Sequence, residues 1–333
     1  GQWAQMIGMG WLVFELTGHS VSQLAMVAAI GGSVRLIFGP VAGVILDRWN
    51  RRRVLLWSIS VGAAQGAFLA VLVITGLIEV WHIYIFVVLE AVLSTADQTA
   101  RQAFVYDVST DDTLPNAIAL SASAHNVARI AGPPLAGAMI GLFGTGTAFV
   151  FLAITMALAA LLTIPISSST RQASPDRSNP IQSLVEGVRY VWSEPVLKGL
   201  VIVHTIPAFL VFPYMSLLPV FAEDVLEAGS RGYGLLAGGA GWGSLVGLTA
   251  LTLAGNVPRK GAILIAGILG YTTTLFGFTQ STVFWLSFSF LTIGGVFFSV
   301  AMALAQTVLQ TLARNDMRGR VTSVYSTSGG LMP

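Results

Sequence analysis

Apolar residues run through this chain in blocks of roughly 20 with little interruption, each closed by a short polar break. A helix needs about that length to cross roughly 30 Å of hydrocarbon at 1.5 Å per residue. The blocks predict membrane-spanning helices over 1–17, 22–46, 54–78, 82–104, 116–141, 144–166, 197–221, 232–254, 260–279 and 282–311, with another starting at 320. That is about eleven spans. The first lacks an initiator Met and the last breaks off within a span, so the chain reads as a fragment cut at both ends. The longest break, "SSSTRQASPDRSNP" (167–180), has the Ser, Pro and Asp content of a linker. Beyond it Leu184, Val185, Val188, Val191 and Trp192 recur at helical spacing, with Glu186, Arg189 and Glu194 between them, predicting an amphipathic helix on the membrane surface. The chain thus divides into an N-terminal helical half (1–166), a linker with its amphipathic helix (167–196) and a C-terminal half (197–333).

Composition strengthens this picture: 54% of residues are hydrophobic and 10% charged, with mean hydropathy +0.77, where soluble domains carry about 25% charge. One signal peptide does not account for so many apolar blocks. The absence of cysteine excludes disulfides and thiol chemistry. The formal net charge of +2 becomes informative only when mapped. Of the 17 Lys and Arg residues, 14 stand at or beyond the C-terminal ends of even-numbered spans, Arg231 alone follows an odd one, and Arg35 and Arg129 lie deep inside spans. Since basic residues collect in cytoplasmic loops, the even-numbered loops and the central linker are expected in the cytoplasm.

The halves also repeat. A shift of about 208 residues lays "GNVPRKGAIL" on "DRWNRRRVLL", Gly239 on Gly31, Gly247 on Gly39, and Gln306, Thr307 and Gln310 on Gln98, Thr99 and Gln102. Two copies of one six-helix unit is the simplest account, an arrangement by which secondary transporters build two rocking halves around a central site.

Between the second and third spans stands "GVILDRWNRRRV" (43–54), in which Gly43, Asp47, Arg48, Asn50, Arg51 and Arg52 are spaced as G-x-x-x-D-R-x-N-R-R. Topology alone explains the arginines but not Asp47. The stretch resembles the signature loop of the major facilitator superfamily, which has Gly at the position of Asn50; Asn tolerates a left-handed backbone, so the turn is expected to survive. The resemblance implies an all-α membrane protein of two six-helix repeats in a 12-span bundle. It further implies that Asp47 caps the start of the eleventh span near 320–322, that the arginines pair with an acid at the cytoplasmic end of the fourth span, here Asp97, and that this contact latches the outward-facing state. In the fifth span, "ARIAGPPLAGAMIG" is similar to the family's antiporter motif: Gly132, Pro133 and Gly137 hold their places, while Ala128 and Ala136 replace two glycines. That motif implies export. Physically, small residues at four-residue spacing let helices approach closely and Pro133 bends the helix. "TARQAFVYDVSTDDTLPNAIAL", "SLVEGVRYVWSEPVLKGL", "LLPVFAEDVL" and "RNDMRGRVTSVY" resemble the enterobactin-exporter and macrolide-efflux branch.

Ionisable groups inside spans are costly and mark candidate sites. Arg35, Glu90 and Arg129 fall about 18–20 Å from the cytoplasmic ends, near the midplane, and His125 shares a helical face with Arg129, Gly132 and Pro133. In one reading Glu90 carries a coupling proton while Arg35 or Arg129 attracts an anionic or oxygen-rich part of the substrate. In the other, the charges form a structural bridge between spans two, four and five. Glu15 lies near the external end, His204 reads as a hydrogen-bonded packing residue, and Trp242, Phe209, Phe212, Tyr214 and Trp285 are candidate cavity aromatics.

"GGAGWGSLVG" (238–247) lacks the strand and spacing of a nucleotide loop; Gly239, Gly243 and Gly247 instead predict a helix-packing groove. There is no P-loop or hydrolase motif, no catalytic residue is assigned, and the four histidines are too scattered for a metal site. No cofactor, metal or nucleic acid is implied. The expectation is a monomeric, proton-coupled exporter of a small amphipathic molecule, a drug or siderophore, working in the lipid bilayer by alternating access. An importer of a small solute remains open, as does a membrane sensor or enzyme without transport.

Overall fold

The computed structural model describes residues 2–48, 50–110, 112–166, 180–210, 214–255, 257–314, 317, 321, 324 and 325, with their side chains except at 40–48, 115, 119, 122, 126, 180–184 and 207–210. Among these residues the regular structure is entirely helical. In hydrocarbon no water is available to backbone N–H and C=O groups, and a helix satisfies both within one segment. The helices are α1 (Gln2–Leu16), α2 (Val21–Arg48), α3 (Arg51–Ile74), α4 (Val80–Val108), α5 (Leu114–Phe143) and α6 (Gly146–Thr163), then α7 (Pro180–Ser193), α8 (Pro195–Leu210), α9 (Tyr214–Val220), α10 (Gly229–Ala254), α11 (Lys260–Gln280) and α12 (Phe284–Leu312). These match the predicted spans with one change: the span expected over 197–221, described as α8 and α9 on either side of the undescribed 211–213, runs into a π-helical turn, Phe221–Val225. Pro219 within α9 contributes no N–H, and the wider turn follows it directly. The eleventh predicted span lies mostly outside the described residues.

Seven described helices are long and apolar enough to cross a membrane. The 15-residue α1 is shorter than the bilayer core, and α5 is long enough but interrupts its apolar run with polar and charged residues such as His125 and Arg129.

The repeat appears as packing. α2 lies on α4 and α3 on α4; in the same relation α10 lies on α12 and α11 on α12. The glycines predicted to form a groove on α10 do so against α12, where a Cβ on Gly243 would lie 1.8 Å from the carbonyl oxygen of Thr292 and one on Gly247 2.8 Å from that of Val296. The repeat departs from symmetry at the turns. Asn50 is not left-handed: its φ is −67°, and its side-chain oxygen caps α3 by accepting from the Arg53 N–H at 3.2 Å. The left-handed residue of the second copy is Arg259, with φ +54°.

The buried apolar residues form three cores. One joins a first group of helices, α1–α6, to α9, α10, α11 and α12 of a second group, α7–α12, through Phe14, Leu69, Phe86, Phe149, Leu218, Leu236 and Phe278. It sits at the end of the bundle remote from the 167–179 linker. At the linker end there are two separate cores, Val54, Leu55, Ile59, Ala96, Ala100 and Phe104 in the first group, and Val191, Leu197, Leu264, Leu309 and Tyr325 among others in the second. In α7, Val191 is fully buried in the latter, while Val185, Val188 and Trp192 leave an apolar edge exposed.

Gly243→Ala is expected to destabilise by roughly 1–3 kcal/mol, since its new Cβ meets backbone rather than a movable side chain. Gly32→Ala on α2, where a Cβ meets nothing within 4 Å, should be neutral or slightly stabilising. Thermal melts of the two purified variants against wild type check this, and equal melting temperatures would argue against close α10–α12 contact.

Candidate functional site

The two groups meet where glycine lets backbones touch. α5 crosses α10 from Gly141 down to Ile130: a Cβ on Gly137 would lie 2.5 Å from the Ser230 carbonyl oxygen and 2.7 Å from Gly234 Cα, and one on Gly238 2.6 Å from Pro134 Cγ. Toward the linker end the helices stop covering one another, leaving Leu120, Val127, Trp242, Val246 and Leu253 exposed. The antiporter-like motif therefore serves two neighbours. Gly137 and Pro133 seat α10, whereas Gly132 admits Trp3 of α1, whose Cβ would be 2.8 Å from an added methyl group.

At the linker-distal end a second set of contacts closes the seam. Gly18 and His19 both take positive φ, +60° and +66°, a turn that stacks the His19 ring on Phe14 at 4.0 Å and aims its Nδ1 at Asp224 Oδ1, 2.9 Å away. Asp224 is presented by the π-helical turn. Trp11 stacks on Tyr233 at 6.0 Å, and Arg231 donates to the Gly141 carbonyl at 3.3 Å. None of these residues was singled out by sequence. His19 beside Gly18 in a polar break was the available signal, but its partner is 205 residues away.

Of the intramembrane charges, Arg35 and Glu90 meet: Arg35 Nη2 donates to Glu90 Oε2 at 2.8 Å, bridging α2 and α4, with both side chains about a quarter exposed. Arg129 does not join them. Its Nε is buried and without a hydrogen-bond partner among the described residues. His125, one turn nearer the linker end and exposed, faces Trp3 edge-on at 6.0 Å. His204 is buried and stacked on Tyr325 at 4.1 Å, in keeping with a packing role. Glu15 accepts from the Thr145 hydroxyl at 2.6 Å, tying α1 to the α5–α6 turn. Trp242 and Trp285 are exposed, Tyr214 lies 6.3 Å from Phe278, and Phe209 and Phe212 fall outside the described side chains.

The signature loop is only partly in view. Gly43, Asp47 and Arg48 lie on α2 with side chains outside the described ones, and residues 320 and 322 lie outside the described residues, so the Asp47 cap is not among the described contacts. The arginine pairing differs from expectation. Arg51 donates to Asp107, not Asp97, at 2.8 Å, and Arg52 donates to the carbonyls of Ile164 and Ile166 at the end of α6. Helical rise explains the change: ten residues separate the two acids, so Asp97 lies about 15 Å deeper than the end of α4 that reaches the turn. Asp97 instead accepts both oxygens' bonds from Arg101, at 2.9 and 2.8 Å, and one from Gln2 at 3.1 Å. With Glu90, Gln2, Gln5 and Gln65, and with the apolar Ile59, Leu93 and Met156, it lines a crevice between α1, α3, α4 and α6, wide enough for water and too narrow for a drug-sized ligand.

Residues 1–332 match the model of a family described as transmembrane secretion effector. The multidrug efflux pump Tap of Mycolicibacterium fortuitum is 28% identical over 97% of this chain and 81% of its own length. The staphyloferrin A transporter of Staphylococcus aureus is 25% identical over 100% and 83%, and the macrolide efflux protein A of Streptococcus pyogenes 22% over 96% and 80%. Among solved structures, the nucleoside transporter NupG superposes with TM-score 0.75 at 11% identity, covering 99% of this chain and 85% of that one. A bacterial homologue of the lysosomal transporter Spinster, in an inward-facing unoccupied conformation, superposes with TM-score 0.68 at 16% identity, covering 99% and 78%.

Arg35→Gln and Glu90→Gln are each expected to destabilise by roughly 1–3 kcal/mol, the partial exposure of the pair reducing the loss expected of a fully buried one. The double variant should lose less than the sum. Denaturation of all four proteins reads this cycle, and strictly additive losses would mean the two side chains do not act on each other.

Proposed function

Because this chain belongs to the transmembrane secretion effector family of major facilitator transporters, we propose that it is a proton-coupled exporter of small amphipathic molecules that alternates access between the halves 1–166 and 197–333. Membership makes it a multi-pass membrane transporter and not an enzyme. The observation that carries the reading is the division of its buried residues into one core shared by both halves at the linker-distal end and two separate cores at the linker end. A bundle so packed is closed on one side and open on the other.

The basic loops put the linker end in the cytoplasm of a bacterial inner membrane, so the conformation is inward-open, with His19–Asp224, Trp11–Tyr233 and the α5–α10 crossing shutting the outside. Opening outward breaks these contacts and closes the cytoplasmic end, where Asp47 and the Arg51–Asp107 pair stand ready. Substrate enters the cleft between the halves. Glu90 carries the proton, reached by water through the crevice below it, and its bond to Arg35 is made when the carboxylate is charged and weakened when it is protonated. Relatives named for drug and macrolide efflux and for staphyloferrin A support an amphipathic organic cargo. The transporter is proposed to act as a monomer in the bilayer.

In inverted vesicles with an imposed proton gradient, wild type is expected to accumulate substrate and Glu90→Gln to lose gradient-driven uptake while keeping exchange down a substrate gradient. Unchanged gradient-driven uptake in Glu90→Gln would overturn the coupling role. The chain has no cysteine, so His19→Cys with Asp224→Cys can be linked by a short bismaleimide. Linking is expected to stop turnover by holding the inward-open state, while each single variant, treated alike, continues to transport. Full activity after quantitative linking would mean that the outer seam need not open.

A further inference from the structure

We infer that Arg129 receives an anionic group of the transported molecule, so that the cargo is a carboxylate-bearing or similarly charged organic anion; this rests on the export reading above. Arg129 stands at the linker-side end of the α5–α10 crossing, its carbonyl oxygen 3.2 Å from where a Cβ on Gly241 would lie. No carboxylate pairs with it among the described residues, and its buried Nε has no acceptor there.

The acids of the surrounding spans are committed elsewhere. Glu90 is held by Arg35, Asp97 by Arg101 and Gln2, and Glu15 by Thr145 at the far end of the seam. The opposite wall offers none: from Pro195 to Leu312 the only acids are Glu223, Asp224 and Glu227, all in the distal turn after α9, with Asp224 on His19. Rocking the halves therefore brings Arg129 no partner from these helices. A cation kept uncompensated in a low-dielectric site is costly, and a ligand anion entering from the cleft removes that cost. Trp3, which faces His125 and packs on Gly132, supplies an aromatic surface for the apolar part of the same molecule. A neutral or cationic ligand in this place leaves the guanidinium unpaired and is disfavoured.

The test is equilibrium binding to the purified full chain in nanodiscs, in dilute Tris sulfate buffer free of carboxylates and chloride, with 2-naphthoate and its neutral methyl ester as paired probes. Wild type is expected to bind the acid roughly tenfold or more tightly than the ester, a difference of the size a charged pair supplies. Arg129→Lys should keep part of that preference and Arg129→Gln none, with the Lys variant guarding against loss of fold. Equal affinity for acid and ester, no binding of the acid, or an unchanged preference in Arg129→Gln would overturn the inference. So would chloride displacing 2-naphthoate as effectively as other aryl carboxylates do, because the site would then take any anion. Binding here needs neither gradient nor turnover. Failed transport in vesicles would therefore count against export alone, and working transport with no acid preference against the anion site alone.

Discussion

The contact on which the remainder depends is the approach of two backbones, α5 and α10, at Gly137 and Gly234. In lipid there is no hydrophobic gain from pressing one apolar helix on another, so association comes from dispersion between surfaces close enough to interlock. An added Cβ at either glycine would sit within 3 Å of the other helix's backbone. This crossing fixes where the halves are joined and where they are free to separate. On its distal side His19–Asp224 and Trp11–Tyr233 also bridge the two groups, and on the linker side the two cores of described residues each belong to one group.

The halves descend from one pattern but divide the work. Where the first places Arg35 against Glu90 between α2 and α4, the second places Gly243 against the Thr292 backbone between α10 and α12. One pair of helices is bridged by charge and the other by direct contact. Charge within the spans is accordingly concentrated in the first half, which holds Arg35, Glu90, Asp97, Arg101 and Arg129, while the second is a wall that bears glycine and aromatic residues.

The motifs show how one stretch serves more than one neighbour. The run around Gly132 to Gly141 contacts α1 with one glycine and α10 with the others, so its small residues set two interfaces together. The basic turn is similarly shared. Asn50 caps α3, Arg51 reaches the end of α4 through Asp107, and Arg52 reaches the end of α6. Three helix ends are gathered on the linker side by one turn, which explains its density of charge better than topology does.

Periodicity, composition and the spacing of basic residues were enough to settle that the chain is helical, that it spans a membrane many times, and that its halves repeat, because each of these follows from the solvent around single helices. The pairing of Arg35 with Glu90 was also within reach, since two opposite charges at one depth in hydrocarbon have few alternatives. What sequence left undecided, or placed wrongly, depends on distance through space. Asp97 and Asp107 lie on the same helix, and only the position of α3 selects the deeper one for the crevice and the other for Arg51. His19 and Asp224 are ordinary loop residues until two left-handed positions and a π turn bring them together. That Arg129 Nε has no acceptor among the described residues is a property of how the packed helices lean on one another. That lean is set by close contacts between remote glycines, and no local pattern records it.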